Sequence, residues 1–489
     1  MTDLQQHFSK FRKNIIGIDN SFQSPYGEKK ILYADWIASG RLYAPIEEKM
    51  IRDFGPWVAN THSESSVTGT FMTKSYAEAK RIIKKHVNAG EGDVLICNGS
   101  GMTGPVNKFI RILGLRLPEQ FYDNILLDET MRPVVFVTHM EHHSNQTSWH
   151  ETIADVVVIP PDEDGGINPD NLEIELQKYK NRRLKIGSFT AASNVTGIQT
   201  PYHQLSKIMH QNGGYCFVDF ACSAPYVDIN MHPKDPDERL DAIFFSPHKF
   251  LGGPGTPGVL IFTSHLYHNR IPDNPGGGTV DWTNPWGEHK FVNDIEARED
   301  GGTPPFLQTI KAALAIKLKE EMQSKYMLQR EEELVDIIVR EFDNIPKLHL
   351  LADNYRHRLG ALSFYIEDMH YNLAVKLLND RFGIQSRGGC SCAGTYGHYL
   401  LHVDPSRSKR ITDKIDQGDL SEKPGWVRIS LHPTMTDDEV YYIADALRDI
   451  IDHADEYSAD YIYKKECNEF FHKDFKGHEF AAITTMFEI

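Results

Sequence analysis

The sequence predicts an α/β protein whose larger domain is built on a seven-stranded, mainly parallel sheet. Between about residues 90 and 262, short runs rich in β-branched and aromatic residues alternate with helix-like segments. These runs are VLICNG, PVVFVTH, DVVVIP, LKIGSFTAAS, YCFVDF, AIFFSPH and GVLIF. Strands that alternate with helices favour a parallel sheet covered on both faces.

Amphipathic segments between these runs supply the covering helices. SYAEAKRIIKKHV precedes the first strand, GPVNKFIRILGL follows it, and TPYHQLSKIMHQNG precedes YCFVDF. The last two begin with a proline near the first turn, where its missing N–H costs no hydrogen bond. We expect these helices to pack on the faces of the sheet.

A second, smaller α+β domain is predicted after about residue 303. There the pattern changes to a long Lys/Glu-rich helical stretch, then LHLL, GALSFYIED, a helix near 371–382 and the strand-like WVRISL. The polar segment 404–425 has almost no periodicity and is predicted to be an exposed loop. The predicted domains are an N-terminal segment 1–30, a large domain 31–305, a small domain 306–460 and an extension 461–489 without an assigned role.

Composition excludes several classes of protein. The 489 residues include 52 basic and 68 acidic ones, and the formal net charge of −16 repels a nucleic-acid backbone. Six unevenly spaced cysteines favour a reducing compartment, so a cytoplasmic protein is expected. No leader and no membrane span are expected, because no run approaches ~18 uninterrupted apolar residues.

The strongest chemical signal is Lys249, which ends Ser246-Pro247-His248-Lys249 after the AIFFS strand. A lysine desolvated in a Gly-rich turn can form a Schiff base with an aldehyde, whereas an isolated lysine would usually be a surface residue. Asp219 ends the YCFVDF strand, and one crossover would bring it to the same sheet edge. A buried carboxylate that keeps a pyridine nitrogen protonated is typical of pyridoxal phosphate chemistry.

A phosphate-binding turn is predicted at Asn98–Gly104, between a strand and a helix. Glycine-rich turns are common, but this position and the Thr103 hydroxyl favour an anion site. The G-x-G-x-x-G pattern at Gly253–Gly258 is not a dinucleotide motif, because it contains two prolines and precedes a strand.

Together these segments resemble the fold-type I pyridoxal-phosphate enzymes of aminotransferase class V, and within them the cysteine desulfurases and selenocysteine lyases. The resemblance extends from LYADWIASG near residue 32 to VRISLHPTMTDDEV near residue 440. It implies that His142 stacks on the pyridoxal ring and that Asn194, in an S-N-x-x-G segment, approaches the phenolic oxygen. The cofactor-binding residues implied are Met102, Thr103, His142, Asn194, Asp219, Ser246, His248, Lys249 and Thr279.

The resemblance also implies a homodimer with shared sites. Thr279, at the end of Gly276-Gly-Gly-Thr279, looks like the residue that reaches the phosphate of the neighbouring subunit. Singly, each match has a structural alternative: His142 as a core histidine, Asn194 as a turn former, Asp219 as a helix cap.

The sulfur chemistry is predicted at Cys392, five residues after Arg387. In the desulfurases a cysteine on a mobile loop in this region receives sulfur, and the C-x-C form resembles the sulfurase domain of molybdenum-cofactor sulfurases. Arg428 matches the arginine that binds the substrate α-carboxylate, and Arg387 and Asn194 are expected to contact substrate as well. Small residues packed in a loop are one alternative for the cysteines and a metal half-site is another; no metal is expected, because no second cysteine pair lies nearby.

The resemblance implies a desulfurase or selenocysteine lyase in which Lys249, His142 and Cys392 are catalytic, acting on a small amino acid with a sulfur-acceptor protein as a further partner. Two departures weaken the match: Cys222 stands where relatives have a glutamine, and Gly104 replaces an acidic residue. A class V aminotransferase or β-elimination lyase is the first alternative, and a catalytically silent pyridoxal-fold binding protein is the second.

Overall fold

A computed structural model describes residues 3–61, 64–124, 127–475 and 483–488. The helices in these ranges are α1 (Asp3–Arg12), α2 (Ala44–Lys49), α3 (Val67–His86), α4 (Thr103–Ile112), α5 (His143–His150), α6 (Pro169–Lys178), α7 (Tyr202–Gln211), α8 (Ile295–Glu299), α9 (Phe306–Met322), α10 (Ser324–Phe342), α11 (Tyr371–Phe382), α12 (Gly394–Leu400), α13 (Pro405–Asp416), α14 (Asp437–Asp452) and α15 (Ala454–Ser458). The strands are β1 (Ser21–Ser24), β2 (Gly27–Lys30), β3 (Leu32–Tyr33), β4 (Asp93–Asn98), β5 (Val134–Thr138), β6 (Asp155–Ile159), β7 (Lys185–Thr190), β8 (Tyr215–Asp219), β9 (Ala242–Phe245), β10 (Gly258–Thr263), β11 (Val280–Thr283), β12 (His289–Phe291), β13 (Leu348–Leu350), β14 (Ala361–Ile366), β15 (Ile384–Gln385), β16 (Arg387–Gly389), β17 (Trp426–Ser430), β18 (Tyr461–Lys464) and β19 (Glu469–His472). Among these residues, no helix has the length and apolar run that crossing a bilayer requires.

The chain forms two compact units. The sheet unit comprises Ala38–Ser193 and Gln199–Ser324, and the terminal unit comprises Met1–Ile37, Asn194–Ile198 and Lys325–Ile489. The domain boundaries predicted from the sequence rest on pattern changes and stay a prediction.

The sheet unit contains seven strands in the order β4-β10-β9-β8-β7-β5-β6. β10 runs antiparallel to both of its neighbours, and the other pairs are parallel. Every residue of β5, β7 and β10 is buried, which explains why their sequences are continuous apolar or small-residue runs. Because β5, β7, β8 and β9 are parallel, their carboxyl ends meet at one edge of the sheet.

The terminal unit contains the antiparallel sheet β13-β14-β17-β16. Its α11 and α14 each bury one apolar face, with Leu377, Leu378, Ile443 and Leu447 in the core. The N-terminal residues pack with this C-terminal half: β3 pairs with β15, and Arg12 forms a two-bond fork with Glu439. The sequence contained no local signal for this association.

The prediction of an exposed loop over 404–425 is wrong over its first half, where the chain forms α13. Asp404 caps this helix by accepting from the backbone N–H groups of Ser406 and Arg407, and Pro405 occupies its first turn. Only Ile411 in the helix is buried, so no apolar periodicity reveals it. The long helical stretch after 303 is likewise two helices, α9 and α10, which meet at Gln323 with φ of 63°.

Candidate active site

The carboxyl edge of the parallel strands carries the first group of predicted residues. Asp219 is the last residue of β8 and pairs in register with Thr190, the last residue of β7. Lys249 lies in a short 3-10 turn, Pro247–Lys249, directly after β9. Strand ends therefore bring Asp219 and the Lys249 turn to the same edge, as the strand order requires.

A candidate phosphate cradle forms where two turns of the sheet unit meet. The backbone N–H of Met102 donates to Ser246 Oγ at 2.9 Å, which joins the β4–α4 turn to the β9 turn. A Cβ at Gly101 would lie 3.3 Å from His248 Nε2 and 3.4 Å from Ser246 Oγ. The glycine thus lets the backbone approach these two side chains at the start of α4, where free N–H groups favour an anion.

His142 and Thr103 lie next to this turn. His142 caps α5, since its Nδ1 accepts from the backbone N–H of Ser144 at 3.1 Å. Ser144 Oγ lies 2.7 Å from Thr103 Oγ1, which is exposed at the start of α4. The imidazole and the threonine hydroxyl are therefore joined through one serine.

Asp219 and Lys249 fit the pyridine nitrogen and aldehyde of pyridoxal phosphate. Asp219 is only 3% exposed, and burial raises the pKa of its carboxyl to about 6, against the lowering effects of the Ala221 N–H and the Lys249 charge. A protonated pyridine nitrogen would supply a further cation to stabilise this buried carboxylate. Burial, together with the Lys249 charge, lowers the pKa of His248 to about 4, so this imidazole is neutral and can donate or accept a hydrogen bond.

Glu141 was not assigned a role from the sequence, yet it organises this edge. Its carboxylate accepts from Thr138 Oγ1, Thr138 N, Asn145 Nδ2 and Thr190 N. Burial raises its pKa to about 8. It ties the end of β5 to the end of β7 and thereby fixes the segment that carries His142. A charged residue three positions after the end of a buried strand was the available signal.

Two residues of the sheet unit have contacts that bear on their expected roles. Thr279 is fully buried, and its hydroxyl donates to the carbonyl of Gly276 at 2.6 Å inside its own turn. Cys222, in place of the family glutamine, is buried with Sγ 3.7 Å from the carbonyl oxygen of Ser193. Their roles toward a cofactor stay predictions.

In the terminal unit, Asn194 contacts the cysteine loop, Cys390–Ala393. Its Nδ2 donates to Ser391 O at 2.8 Å, while its Oδ1 is buried and has no hydrogen-bond partner among the described residues. Trp426 Nε1 donates to Ser391 Oγ at 3.2 Å. Ser391 and Cys392 have φ values of 51° and 57°, a left-handed conformation that is unfavourable for side chains other than glycine. The loop is thus anchored at Ser391 while Cys392 is exposed.

Arg428 and Arg387 lie directly opposite each other on β17 and β16. Asp35 accepts from both: Oδ1 lies 2.6 Å from Arg428 Nη2, and Oδ2 lies 3.1 Å from Arg387 Nε. Arg428 Nη1 donates to Asn194 O, and its Nε is buried without a hydrogen-bond partner in the described ranges. Two guanidinium groups share one carboxylate, so the cluster keeps one positive charge and a free donor. Sequence reasoning missed Asp35 because its partners are more than 350 residues away.

We expect Asp35→Asn to destabilise the terminal unit by about 2–4 kcal/mol, because a buried arginine loses its charged partner and two like charges then face each other across a strand pair. The measurement is urea unfolding. The matched control is Asp19→Asn, whose partner Lys30 is exposed, and it should shift the midpoint little. Equal shifts for the two variants would contradict this assignment.

The sequence model described as Aminotransferase class-V matches residues 32–443. The chain belongs to this family. Its class-V relatives include probable cysteine desulfurases: one from Staphylococcus epidermidis is 26% identical over 372 residues, covering 75% of this chain and 84% of the relative. Another, from Halalkalibacterium halodurans, is 26% identical over 367 residues, covering 74% and 84%.

Solved structures confirm the predicted fold. The apo cysteine desulfurase from Thermococcus onnurineus has a TM-score of 0.70 at 21% identity, covering 86% of this chain and 95% of that one. The cysteine desulfurase CsdA from Escherichia coli has a TM-score of 0.68 at 20% identity, covering 92% and 98%. The chain is therefore an enzyme of the class-V aminotransferase family with the fold-type I architecture predicted from the sequence.

Proposed function

We propose that this class-V enzyme uses pyridoxal phosphate to remove sulfur, or selenium, from L-cysteine or a related amino acid, giving alanine and a persulfide on Cys392. The observation that carries the proposal is the exposed thiol of Cys392 on an anchored loop, in the same unit as the Arg387–Asp35–Arg428 cluster. Cys97, Cys216 and Cys222 are buried. A buried thiol could not reach a substrate sulfur.

The other residues that would hold the cofactor all lie in the sheet unit. Ser246, His248 and the N–H groups at the start of α4 would bind the phosphate, His142 would stack on the ring, and Asp219 would hold the pyridine nitrogen in its protonated form. Pyridoxal phosphate, when bound, supplies an electron sink for negative charge that develops at the substrate Cα. Lys249 would bind the aldehyde in the resting enzyme and move the proton at Cα.

Substrate recognition is assigned to Arg428. Its unpartnered Nε and the surplus positive charge that it shares with Arg387 suit one α-carboxylate. Asp35 would hold the two guanidinium groups in place without neutralising both. An uncharged substrate lacking this carboxylate would leave buried donors unsatisfied, which favours an amino acid as substrate.

In the sulfur step, the Cys392 thiolate attacks the substrate sulfur. The carbon–sulfur bond breaks with its electron pair left on the substrate carbon, which takes up a proton, and the released amino acid is alanine. Sulfur remains on Cys392 as a persulfide. Because this group stands on an exposed loop, a sulfur-acceptor protein in the cytoplasm is the proposed recipient.

A homodimer is proposed as the working form. An apolar groove in the sheet unit between α3 and α9 is lined by Phe54, Val67, Phe71 and Leu314, of which Val67 is 70% exposed. Apolar surface of this kind typically marks a protein interface. A second copy of this chain fits the expectation that Thr279 serves a neighbouring site.

The test is an incubation of the cofactor-loaded enzyme with a panel of amino acids, measuring alanine, pyruvate and sulfide. Alanine in equal amount to the sulfur released from L-cysteine, or to the selenium released from L-selenocysteine, supports the proposal. Pyruvate with free sulfide would instead establish a β-elimination lyase, and a keto acid without sulfur release would establish an aminotransferase.

We expect Asp219→Ala to retain cofactor but lose turnover by about 100-fold or more, because the phosphate cradle is untouched while the pyridine nitrogen loses its charged partner. Cofactor content by absorbance and alanine formation are measured together. The control is Asp235→Ala, whose carboxylate pairs with Lys207 at the surface. Near-normal turnover of Asp219→Ala would make this aspartate structural only.

A further inference from the structure

The C-terminal hairpin, β18–β19, lies outside the family match and has no part in the chemistry proposed above. Its strands pair in register from Tyr461↔His472 to Lys464↔Glu469. The rings of Tyr463 and Phe470 each lie 5.3 Å from that of His370, which caps the N-terminus of α11. The hairpin is therefore packed against the first turn of α11.

Asn468, in the turn of the hairpin, makes the polar contacts of this packing. It is only 7% exposed and has a φ of 58°. Its Nδ2 donates to Tyr371 OH at 2.6 Å, its Oδ1 accepts from Tyr463 OH at 2.8 Å, and its backbone oxygen accepts from Asn372 Nδ2 at 2.5 Å. A buried amide bonded at both ends holds its neighbours in one arrangement.

The side chains of Tyr371 and Asn372 pack closely against β16, the strand that leads into the cysteine loop. A Cβ at Gly388 in β16 would lie 2.2 Å from Asn372 Oδ1, and one at Gly425 would lie 2.6 Å from the ring carbons of Tyr371. Tyr371 OH also donates to Lys423 O at 3.2 Å. Contacts this close leave the backbone of β16 and the entry to β17 little room to move.

The strand against which they pack, β16, directly precedes the cysteine loop in the chain. Gly389 ends β16 and Cys390 follows it, and Cys390 is close enough to act electrostatically on the Tyr371 hydroxyl. Gly389 pairs with Trp426, whose indole anchors Ser391. A continuous set of contacts thus runs from Asn468 through Tyr371 and Asn372 to the loop that presents Cys392.

The hairpin also contacts the segment after α13 through Lys465. Leu420 N donates to Lys465 O at 3.0 Å, and Lys465 Nζ lies 3.6 Å from Asp419 Oδ2. The turn of the hairpin therefore contacts the start of α11 and the segment after α13, which lie before and after the cysteine loop in the chain.

We infer that the C-terminal hairpin positions the cysteine loop, and that Asn468 is a positioning residue for Cys392, acting through Tyr371 and Asn372. The inference rests on the proposed function in one respect, the role of Cys392 in accepting sulfur. Loss of the Asn468 amide loosens the loop but removes none of the hydrogen bonds that Arg428 makes to Asp35 and Asn194. The effect falls on the sulfur step and leaves substrate binding unchanged.

The test compares Asn468→Gly with Ile462→Thr in the cofactor-loaded protein. Glycine adopts the left-handed turn without strain and removes only the amide, while Ile462 is on the exposed face of the same hairpin. For Asn468→Gly we expect hydrogen exchange of the 386–395 peptide to rise at least threefold. We also expect kcat for alanine formation to fall about tenfold or more, with KM for L-cysteine within about twofold. Ile462→Thr should match the unsubstituted protein in exchange of the 386–395 peptide, in kcat and in KM.

A second variant is needed if Asn468→Gly loosens the hairpin itself. If Asn468→Gly raises exchange across the hairpin peptide 461–472 as well, Asn468→Asp is used, since it keeps the acceptor for Tyr463 and loses the donor to Tyr371. Unchanged loop exchange or unchanged kcat in the variant that retains the hairpin overturns the inference. If the unsubstituted enzyme forms no alanine while loop exchange still responds to Asn468, the proposed function fails and the structural coupling stands.

Discussion

Cys392→Ser should abolish alanine formation from L-cysteine, with a loss of more than about 10³-fold, while cofactor absorbance and substrate binding change little. The reason is a division of labour in the proposed function: Lys249 and Asp219 lie in the sheet unit, whereas Cys392 is on an exposed loop of the terminal unit. Its proposed role is only to accept sulfur. Serine is close in size but cannot carry a persulfide. The measurement is alanine release under single- and multiple-turnover conditions, with mass spectrometry of the loop peptide for the added sulfur.

Cys390→Ser is the matched control, because it alters the other thiol of the same C-x-C turn. We expect a milder loss for it, since Cys390 is only three residues from Arg387 and is less exposed than Cys392. Selenocysteine should be affected less than cysteine by Cys392→Ser, because selenium leaves more readily. Full alanine production from cysteine by Cys392→Ser would end the desulfurase assignment and favour the lyase or aminotransferase alternative.

Lys249→Ala should lose turnover by at least about 10³-fold and should no longer retain a pyridoxyl group after borohydride treatment. In the unsubstituted protein, borohydride should fix that group on Lys249, because this lysine alone follows the strand end beside Asp219. Peptide mapping by mass spectrometry locates the label.

Lys319 is the lysine to compare with Lys249 as the site of the borohydride label. Burial lowers the pKa of its amine to about 7, which favours the neutral amine that a Schiff base requires, yet its Nζ donates to Ala224 O and is fully enclosed. A label on Lys319, or a label that persists in Lys249→Ala, would overturn the assignment of the cofactor lysine. Lys317→Ala, on the exposed face of α9, should behave like the unsubstituted protein.

The strands and the turns between them could be predicted from the sequence because their signals are local. A strand buried on both faces needs a continuous apolar run, so β5, β8 and β10 were visible as VVFVT, YCFVD and GVLIFT. Residues at their carboxyl ends, such as Asp219, were then expected at one edge of the sheet. The helix α13 was missed for the same reason, since one buried residue produces no periodicity.

Tertiary structure alone decided which distant residues share a charge cluster or a set of hydrogen bonds. Asp35 joins Arg387 and Arg428 from the other end of the chain, and Asn468 reaches Tyr371 and Asn372 across about a hundred residues. A single carboxylate or amide carries no periodic pattern, and its partner is selected only when the fold brings a complementary group within about 3 Å. The sequence by itself therefore determined the sheet, its edge and the residue types of the chemistry. Within the terminal unit, the packing of the N-terminal residues decided how the arginines are paired, and the packing of the C-terminal hairpin decided how the cysteine loop is held. Buried charges and amides need hydrogen-bond partners, and only the fold brings those partners together.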